Sequence, residues 1–159
     1  DHFYGHAEAG AVLAKKILRR LKFDNETIRR TENLIRHHAY HLRQDKTIVR
    51  QAMNRVGKEA FSDLLEVMEA DTLAKSAYTR QERLEDIRVI RKMYQEILAD
   101  GECVELRDLA VGGQDLIRVG MEPGKRIGEL LNKMLQYVIE HPEKNQKKVL
   151  LEYFLKKNE

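Results

Sequence analysis

The sequence predicts an all-α fold. Apolar residues recur at helical spacing along the chain, and no stretch of strand length alternates apolar with polar residues. Charged residues make up 35% of the 159 residues and aromatic residues 6%, a composition typical of helices with well-solvated faces. We expect a helical bundle over residues 1–100, followed by a smaller helical module over residues 101–159.

Five helices are expected in the first part of the chain. Asp24 is suited to cap the second of them, and Gly57 is suited to end the third. The fourth covers about residues 58–77, and the fifth begins at Thr79 and ends before Gly101. Residues 7–22 form the first helix, with an apolar stripe expected to face the core that contains Leu13, Ile17, Leu18 and Leu21.

The amino-acid composition changes after residue 100. Residues 101–124 contain five of the nine glycines together with Pro123, which makes this stretch the best candidate boundary. Pro123 is expected in the first turn of a sixth long helix. The inward face of that helix is expected to contain Ile127, Leu130, Leu131, Met134, Leu135 and Val138. A short helix that carries Val149, Leu150, Tyr153 and Phe154 closes the chain.

Composition and charge narrow the classes of function. The mean hydropathy is −0.59 and no apolar run has the length of a membrane span, so we expect no membrane partner and a cytoplasmic protein. The single cysteine, Cys103, excludes an internal disulfide. Residues 15–50 hold eleven Lys and Arg against four Asp and Glu. This excess is typical of a surface that faces a polyanion, although solvated helix faces produce the same count.

Four histidines and one aspartate are the candidate metal-binding residues. His6, His37, His38 and His41 lie in the first quarter of the chain, and a spacing of four places His37 and His41 on one helix face, where they could chelate a divalent metal. Asp71 continues the apolar stripe of its helix, so we expect it to be largely buried and paired with His6, His37 or His38, or with a metal. An ordinary hydrogen bond or ion pair between helices is the alternative.

Several segments of the chain form a recognisable set. They are Phe3-Tyr4-Gly5-His6, Gly10-Ala11, residues 17–23 (ILRRLKF), residues 34–38 (LIRHH), Glu69-Ala70-Asp71, residues 108–117 (DLAVGGQDLI) and residues 123–131 (PGKRIGELL). The set resembles the HD-domain bacterial tRNA nucleotidyltransferases, which are the CCA-adding enzymes and their poly(A) polymerase relatives. Residues 108–117 resemble the L-x-(I/V)-x-G-x-D-L signature of that family, and this is the most specific part of the resemblance.

The resemblance implies the carboxyl-terminal part of such an enzyme. Residues 1–100 would be an HD-like helical domain that lacks its N-terminal part and its HD pair, because Asp1-His2 stands in the wrong order. The head that adds nucleotides would be absent, together with the paired aspartates that hold its Mg²⁺, and we expect the chain alone to add no nucleotides. His6, His37 and Asp71 match the metal positions of HD domains, with His38 as a substitute for His37. Without the His-Asp pair of the HD motif, a divalent metal at these positions would be weakly held or absent.

The partner implied by the resemblance is tRNA, held by its sugar-phosphate backbone. No DNA partner is expected, and self-association stays open. The helix expected to begin at Pro123 and Gly124 could hold a phosphate at its N-terminus, although an ordinary tight turn in which Gly128 admits a neighbouring helix is the alternative. The candidate RNA-binding residues are Lys15, Lys16, Arg19, Arg20, Arg29, Arg30, Gly124, Lys125 and Arg126.

Two other functions remain alternatives. An HD-type metal-dependent phosphohydrolase would use His6, His37, His38 and Asp71 as ligands of a metal that activates water. A helical interaction module without catalysis would use the same helices and carry its basic face incidentally. A measurement of bound metal distinguishes the phosphohydrolase from the other two functions. Salt-dependent RNA binding distinguishes the tRNA-holding role from the interaction module. The choice between adding CCA, CC or A resides in the head and cannot be made from these residues.

Overall fold

The computed structural model of the chain describes residues 5–75 and 77–155 and is helical throughout its regular structure. No strand occurs within these residues, which confirms the all-α prediction. None of the described helices combines the length and the apolar composition that a bilayer crossing requires. The helices of the described part are α1 (His6–Arg20), α2 (Asn25–His37), α3 (Lys46–Val56), α4 (Ala60–Ala74), α5 (Arg80–Ala99), α6 (Gly113–Arg118), α7 (Lys125–Glu140) and α8 (Lys147–Leu155).

Short polar side chains and glycine set the ends of α2 and α3. The Asp24 carboxylate accepts hydrogen bonds from the backbone N–H groups of Glu26 and Thr27, and this confirms Asp24 as the N-cap of α2. Asp45 caps α3 in the same way. Such caps stabilise a helix by about 1 kcal/mol because they satisfy N–H groups that the helix leaves open. Gly57 follows α3 with a φ of 99°, the left-handed region that glycine tolerates, as its position predicted.

The chain divides into two compact units between Tyr94 and Gln95. In the N-terminal unit, α3 and α4 supply most of the fully buried apolar side chains. That core consists of Ala11, Ile28, Val49, Ala52, Met53, Val56, Phe61, Leu64, Leu65, Ile87 and Ile90. The functions assigned above to residues 1–100 and 101–159 stay predictions.

The packing of α1 differs from the prediction. Leu13 and Leu21 are each 58% exposed and Ile17 is 39% exposed, so the predicted apolar stripe faces outward. The helix buries Ala11 instead and packs against α2, where the Cβ position of Gly10 lies only 3.3 Å from the Ile35 side chain. A helix that carries small residues on one face and larger apolar residues on another can approach a neighbour more closely through the small ones, and that closer approach decides the orientation of α1.

The C-terminal unit has its own core, and α7 supplies the largest share of it. The predicted inward face of α7 is confirmed, since the core contains Cys103, Val111, Leu116, Leu130, Met134, Leu135, Val138, Ile139 and Leu150, with Ile127 and Leu131 packed against it. Pro123 was wrongly expected inside the helix. It precedes the N-cap, Gly124, whose φ of 156° and ψ of −170° belong to a region that is essentially restricted to glycine.

A glycine in the first turn of α7 provides a test of this packing. The Cβ position of Gly128 has no described atom within 4 Å, so the alternative in which Gly128 admits a close helix neighbour is wrong for the described part of the chain. Gly128→Ala should therefore raise the free energy of unfolding by about 0.5–1 kcal/mol through lower backbone entropy in the unfolded chain. Urea denaturation followed by circular dichroism measures this change.

Gly10→Ala is the matched control, because Gly10 is also a helix-interior glycine. Its added methyl group would meet Ile35 at 3.3 Å, so the gain should be smaller than at Gly128 or become a loss. Equal gains at the two positions would contradict the close packing of α1 on α2.

Candidate nucleic-acid interface and histidine cavity

A cavity of about 830 Å³ opens in the N-terminal unit beside the start of α1 and the end of α2. His6 and His38 stand next to each other on its wall, with ring centroids 5.3 Å apart and ring planes at 73°. Asp71 lies on the same wall. Three of the four predicted metal ligands therefore border one cavity. Its other polar lining includes His41, Lys75, Arg83 and Asp86, of which sequence reasoning considered only His41.

His37, the fourth predicted ligand, does not line this cavity, and the predicted pairing of His37 with His41 is wrong. Helix α2 ends at His37, so His41 lies beyond the helix and the two rings share no helix face. The Nδ1 of His37 donates to the Asn33 carbonyl at 2.8 Å, and the Nδ1 of His38 donates to the Ile35 carbonyl at 2.6 Å. The bond from His38 satisfies a carbonyl that the last turn of the helix leaves open, and the bond from His37 reaches a carbonyl one residue before that turn; both are structural roles.

Asp71 is only partly buried, and its ion-pair partner is a lysine, not the histidine that the sequence predicts. Its side chain is 32% exposed and forms an ion pair with Lys75, one turn further along. The apolar stripe that predicts an inward position ends with α4 at Ala74. Asp71 therefore lies in the last turn of α4, at the edge of the core. A partly exposed carboxylate keeps part of its hydration, so pairing it with a surface lysine costs little free energy. It therefore requires no buried histidine or metal as a partner.

The donor set around the cavity does not fit a metal ion. Among the described residues, no group of three His, Cys, Asp or Glu side chains is placed to hold one. Asp71 is occupied by Lys75, and Asp86 accepts a hydrogen bond from the Gln44 amide at 2.6 Å. We therefore derive no chemical step through a metal at this place. The segment Asp1–Tyr4, which includes part of the first matched motif, lies outside the described residues.

The predicted basic residues of α1 fall into two groups. Lys16, Arg19 and Arg20 are exposed, and the described residues offer them no ion-pair partner. Lys15 instead points towards α2 and binds the Glu32 carboxylate at 2.9 Å. Three cations of α1 are thus available to a partner, and the fourth is used to fasten α1 to α2.

The predicted pair on α2 divides in the same way. Arg29 is exposed, whereas the guanidinium of Arg30 donates to the Asp63 carboxylate on α4, with an Nε to Oδ2 distance of 2.8 Å. A cation already paired within the fold must give up that partner before it can bind a phosphate. The charge count of residues 15–50 therefore overstates the number of cations that a polyanion can reach.

The second basic group lies at the start of α7. The Lys125 side chain is 91% exposed and its Nζ lies 3.5 Å from a Glu129 carboxylate oxygen, one turn away. Arg126 is also exposed, and Gly124 is the N-cap. The backbone N–H groups of the first turn and the positive end of the helix dipole favour an anion here. This arrangement can attract a phosphate but reads no base.

Residues 108–117 are held by contacts that span the C-terminal unit. The Asn145 side chain accepts a hydrogen bond from the Ala110 N–H at 2.8 Å and donates one to the Asp108 carbonyl at 3.0 Å. Asp115, at the start of α6, accepts a hydrogen bond from the Gly112 N–H at 3.0 Å and forms an ion pair with Lys147. Sequence reasoning missed Asn145 and Lys147, because no local signal links them to a motif some 30 residues upstream.

Comparison with known proteins agrees with the resemblance. The family model for tRNA nucleotidyltransferase domain 2 matches residues 6–154, nearly the whole chain. The chain belongs to this family. A CC-adding tRNA nucleotidyltransferase from Thermus thermophilus is 31% identical over 134 residues, which cover 84% of this chain and 29% of that relative. The chain therefore spans less than a third of the relative's length. No solved structure matches the chain significantly.

The signature of this tRNA nucleotidyltransferase domain has a structural role in the C-terminal unit. The ion pair with Lys147 and the hydrogen bond from Gly112 hold the pKa of Asp115 below its ordinary value of 3.8. The aspartate of the signature thus closes the first turn of α6 and fastens it to the start of α8. The cations of α7, Lys125, Arg126 and Lys133, are among the residues exposed beside this scaffold.

Asp115 gives a pH-dependent test of this role. Its pKa is lower in the folded than in the unfolded chain, so its contribution to stability is present above the unfolded value of 3.8 and is lost as the pH falls through the folded value. Asp115→Asn should lower the urea midpoint at neutral pH, and the difference from the wild type should shrink below the unfolded pKa. Unfolding curves across this range measure the effect.

Asp100→Asn serves as the control, because Asp100 is exposed in the same unit and has no ion pair among the described residues. It should leave the midpoint nearly unchanged at both pH values. A pH-independent effect of Asp115→Asn would mean that the carboxylate charge contributes nothing to the fold.

Proposed function

We propose that this chain is the tRNA-holding helical portion of a tRNA nucleotidyltransferase, which keeps the tRNA in place while another portion of the enzyme adds nucleotides to its 3′ end. The observation that carries the proposal is the family match over residues 6–154. The named activity of the Thermus relative, CC addition, supports the same reaction class. A role in tRNA processing implies a cytoplasmic protein.

Exposed cations support binding of the RNA sugar-phosphate backbone, which we call the backbone grip. Among the candidate RNA-binding residues, Lys16, Arg19, Arg20 and Arg29 are exposed and reachable in the N-terminal unit, and Lys125 and Arg126 are exposed at the α7 start. Arg and Lys bind phosphates by charge and by hydrogen bonds, and each neutralised phosphate releases counterions. Double-stranded RNA is recognised mainly through its backbone, since side chains cannot read its deep, narrow major groove. Such a grip would accept many tRNAs alike.

The chemical step belongs to residues other than these. Nucleotidyl transfer with a triphosphate uses carboxylates that hold Mg²⁺ around the reacting phosphates, and the sequence contains no Asp-x-Asp pair. In this proposal Mg²⁺ acts in the nucleotide-adding portion. The cations of the present chain supply binding energy and orient the RNA.

The α7 start provides the first test of the grip. Lys125→Ala with Arg126→Ala should weaken binding of all tRNAs and reduce the slope of log K against log salt by about 0.7–0.9 for each lost phosphate contact. Both side chains are exposed, so the fold should be retained. Fluorescence anisotropy at several salt concentrations measures affinity and slope together.

Glu129→Gln is a control of opposite sign. It removes the carboxylate that lies 3.5 Å from the Lys125 ammonium, so it should tighten tRNA binding modestly. If neither change affects affinity or slope, the α7 start is structural only. If the wild-type chain binds no RNA in a salt-dependent way, the helical interaction module without catalysis becomes the better account.

Nucleotide addition provides a separate test. Incubating the chain with tRNA that lacks its 3′ end and with labelled ATP and CTP should give no incorporation, because the carboxylates for Mg²⁺ are absent from its sequence. A no-protein reaction sets the background. Incorporation above that background would show that this chain itself adds nucleotides, and it would overturn the proposal that another portion of the enzyme does so.

A further inference from the structure

The turn that ends α1 holds a lysine in a backbone conformation that suits glycine. Lys22 has a φ of 60°, in the left-handed region, and it is the one residue other than glycine with a positive φ in residues 5–75 and 77–155. Residues with a Cβ rarely adopt this region because the Cβ crowds the following carbonyl oxygen. The position therefore costs conformational free energy that a glycine would not cost.

Backbone hydrogen bonds dictate this conformation. The Lys22 N–H donates to the Arg19 carbonyl and the Phe23 N–H donates to the Leu18 carbonyl, each at 3.0 Å, which is the usual pattern of a helix that ends in a left-handed residue. The pattern requires the conformation but no particular side chain. The Lys22 side chain is exposed, and no ion pair or hydrogen bond within the described residues accounts for a lysine at this position.

Like charges are also concentrated near the end of α1. Lys16 is three residues before Arg19 and four before Arg20, so these three exposed cations are neighbours on one helix face, where like charges repel one another. The negative end of the helix dipole favours cations within the last turn and offsets part of this repulsion. It does not require a lysine at the left-handed position beyond that turn. Two separate costs thus fall on the same end of α1.

The carboxylates of the neighbouring segment leave this positive charge in excess. Residues 15–30 contain seven Lys and Arg and two carboxylates, Asp24 and Glu26. The Asp24 carboxylate is used as the N-cap of α2, since it accepts hydrogen bonds from two backbone N–H groups at 2.9 Å and from the Thr27 hydroxyl at 2.6 Å. Two of the seven cations are paired within the fold, so five remain against Glu26, which is exposed.

We propose that Lys16, Arg19, Arg20 and Lys22 form one phosphate-binding surface, which we call the α1 tip, and that Lys22 contacts the sugar-phosphate backbone of the tRNA from its left-handed position. This inference rests on the proposed function and adds a contact to the backbone grip. Bound phosphates neutralise the charges that repel one another in the free chain, and the contact offsets the conformational cost of Lys22. A phosphate backbone suits four neighbouring cations because it presents a regular row of negative charges.

Replacing Lys22 by glycine separates binding from stability. Lys22→Gly should raise the urea midpoint, since glycine adopts the left-handed conformation without strain. The same change should weaken binding of a tRNA transcript about five- to eightfold at about 0.1 M salt and reduce the slope of log K against log salt by about 0.7–0.9, the effect of one lost phosphate contact. Circular dichroism in urea measures the midpoint, and fluorescence anisotropy at several salt concentrations measures affinity and slope.

Two variants control for the charge and for its position. Lys22→Arg keeps the cation and the strained backbone, so it should retain the wild-type midpoint and affinity. Arg88→Gln removes an exposed cation of the same unit that Glu85 already binds, with an Nε to Oε2 distance of 2.8 Å. It changes the net charge by the same amount as Lys22→Gly and should leave the affinity and the slope nearly unchanged.

The outcomes distinguish this inference from the proposed function. Absence of salt-dependent tRNA binding by the wild-type chain would contradict the proposed function itself. Salt-dependent binding that Lys22→Gly leaves unchanged would overturn the contact at Lys22 and leave the rest of the backbone grip intact. A lower midpoint in Lys22→Gly would also overturn the inference, because the lysine would then stabilise the end of α1. Polyglutamate that displaces the tRNA as well as duplex RNA does, at equal charge, would assign the α1 tip to an acidic protein surface instead.

Discussion

The close contact between α1 and α2 is the constraint on which the rest of the N-terminal unit depends. The Cβ position of Gly10 lies 3.3 Å from Ile35, and Ala11 is fully buried beside it. The two helices run antiparallel, so a contact further along α1 meets a residue earlier on α2. Each of the remaining cross-helix pairs follows this register: His6 meets His38, Glu8 binds Arg36 at 2.7 Å, and Lys15 binds Glu32 at 2.9 Å.

The register has electrostatic consequences. Arg36 binds two carboxylate partners, Glu8 and Glu32, which lowers the pKa of the Glu8 carboxyl and raises that of the guanidinium. Lys15 and Arg36 lower the pKa of Glu32 together. Isolated surface ion pairs contribute little, but a network with a bidentate arginine adds orientation as well as charge. The network uses Lys15 internally and leaves Lys16, Arg19 and Arg20 on the outside of α1.

Much of the fold could be predicted because its signals are local. Asp24 and Gly57 mark helix ends through their own chemistry, and the inward face of α7 follows from spacing alone. The orientation of α1 could not be predicted in this way, because two stripes compete on that helix. Leu13 and Leu21 have the greater hydrophobicity, yet the smaller residues allow the closer approach to α2, and tertiary packing overrides the local pattern.

The candidate site was predicted less completely, for a related reason. The pairing of His37 with His41 assumed a helix that continues past His38, whereas α2 ends at His37 and the rings of His37 and His38 bind backbone carbonyls of its last two turns. Whether a cation is reachable depends on carboxylates from other helices, as Asp63 shows for Arg30. Spacing within one helix carries no information about either effect.

In the C-terminal unit, the residues that hold the fold together differ from the exposed charged residues of α7. Asp115, Asn145 and Lys147 join the signature to the segment before α8 and to its first residue, through one ion pair and two hydrogen bonds. The side of α7 that carries Arg126 and Lys133 makes no such bonds to the signature among the described residues and stays exposed. A specific sequence motif therefore builds the scaffold, while exposed lysines and arginines of weaker pattern are the residues that the proposed function would use. Under that proposal, binding of an RNA backbone requires charge at a fixed position and no particular sequence, so the most recognisable residues of this unit need not be the ones that contact RNA.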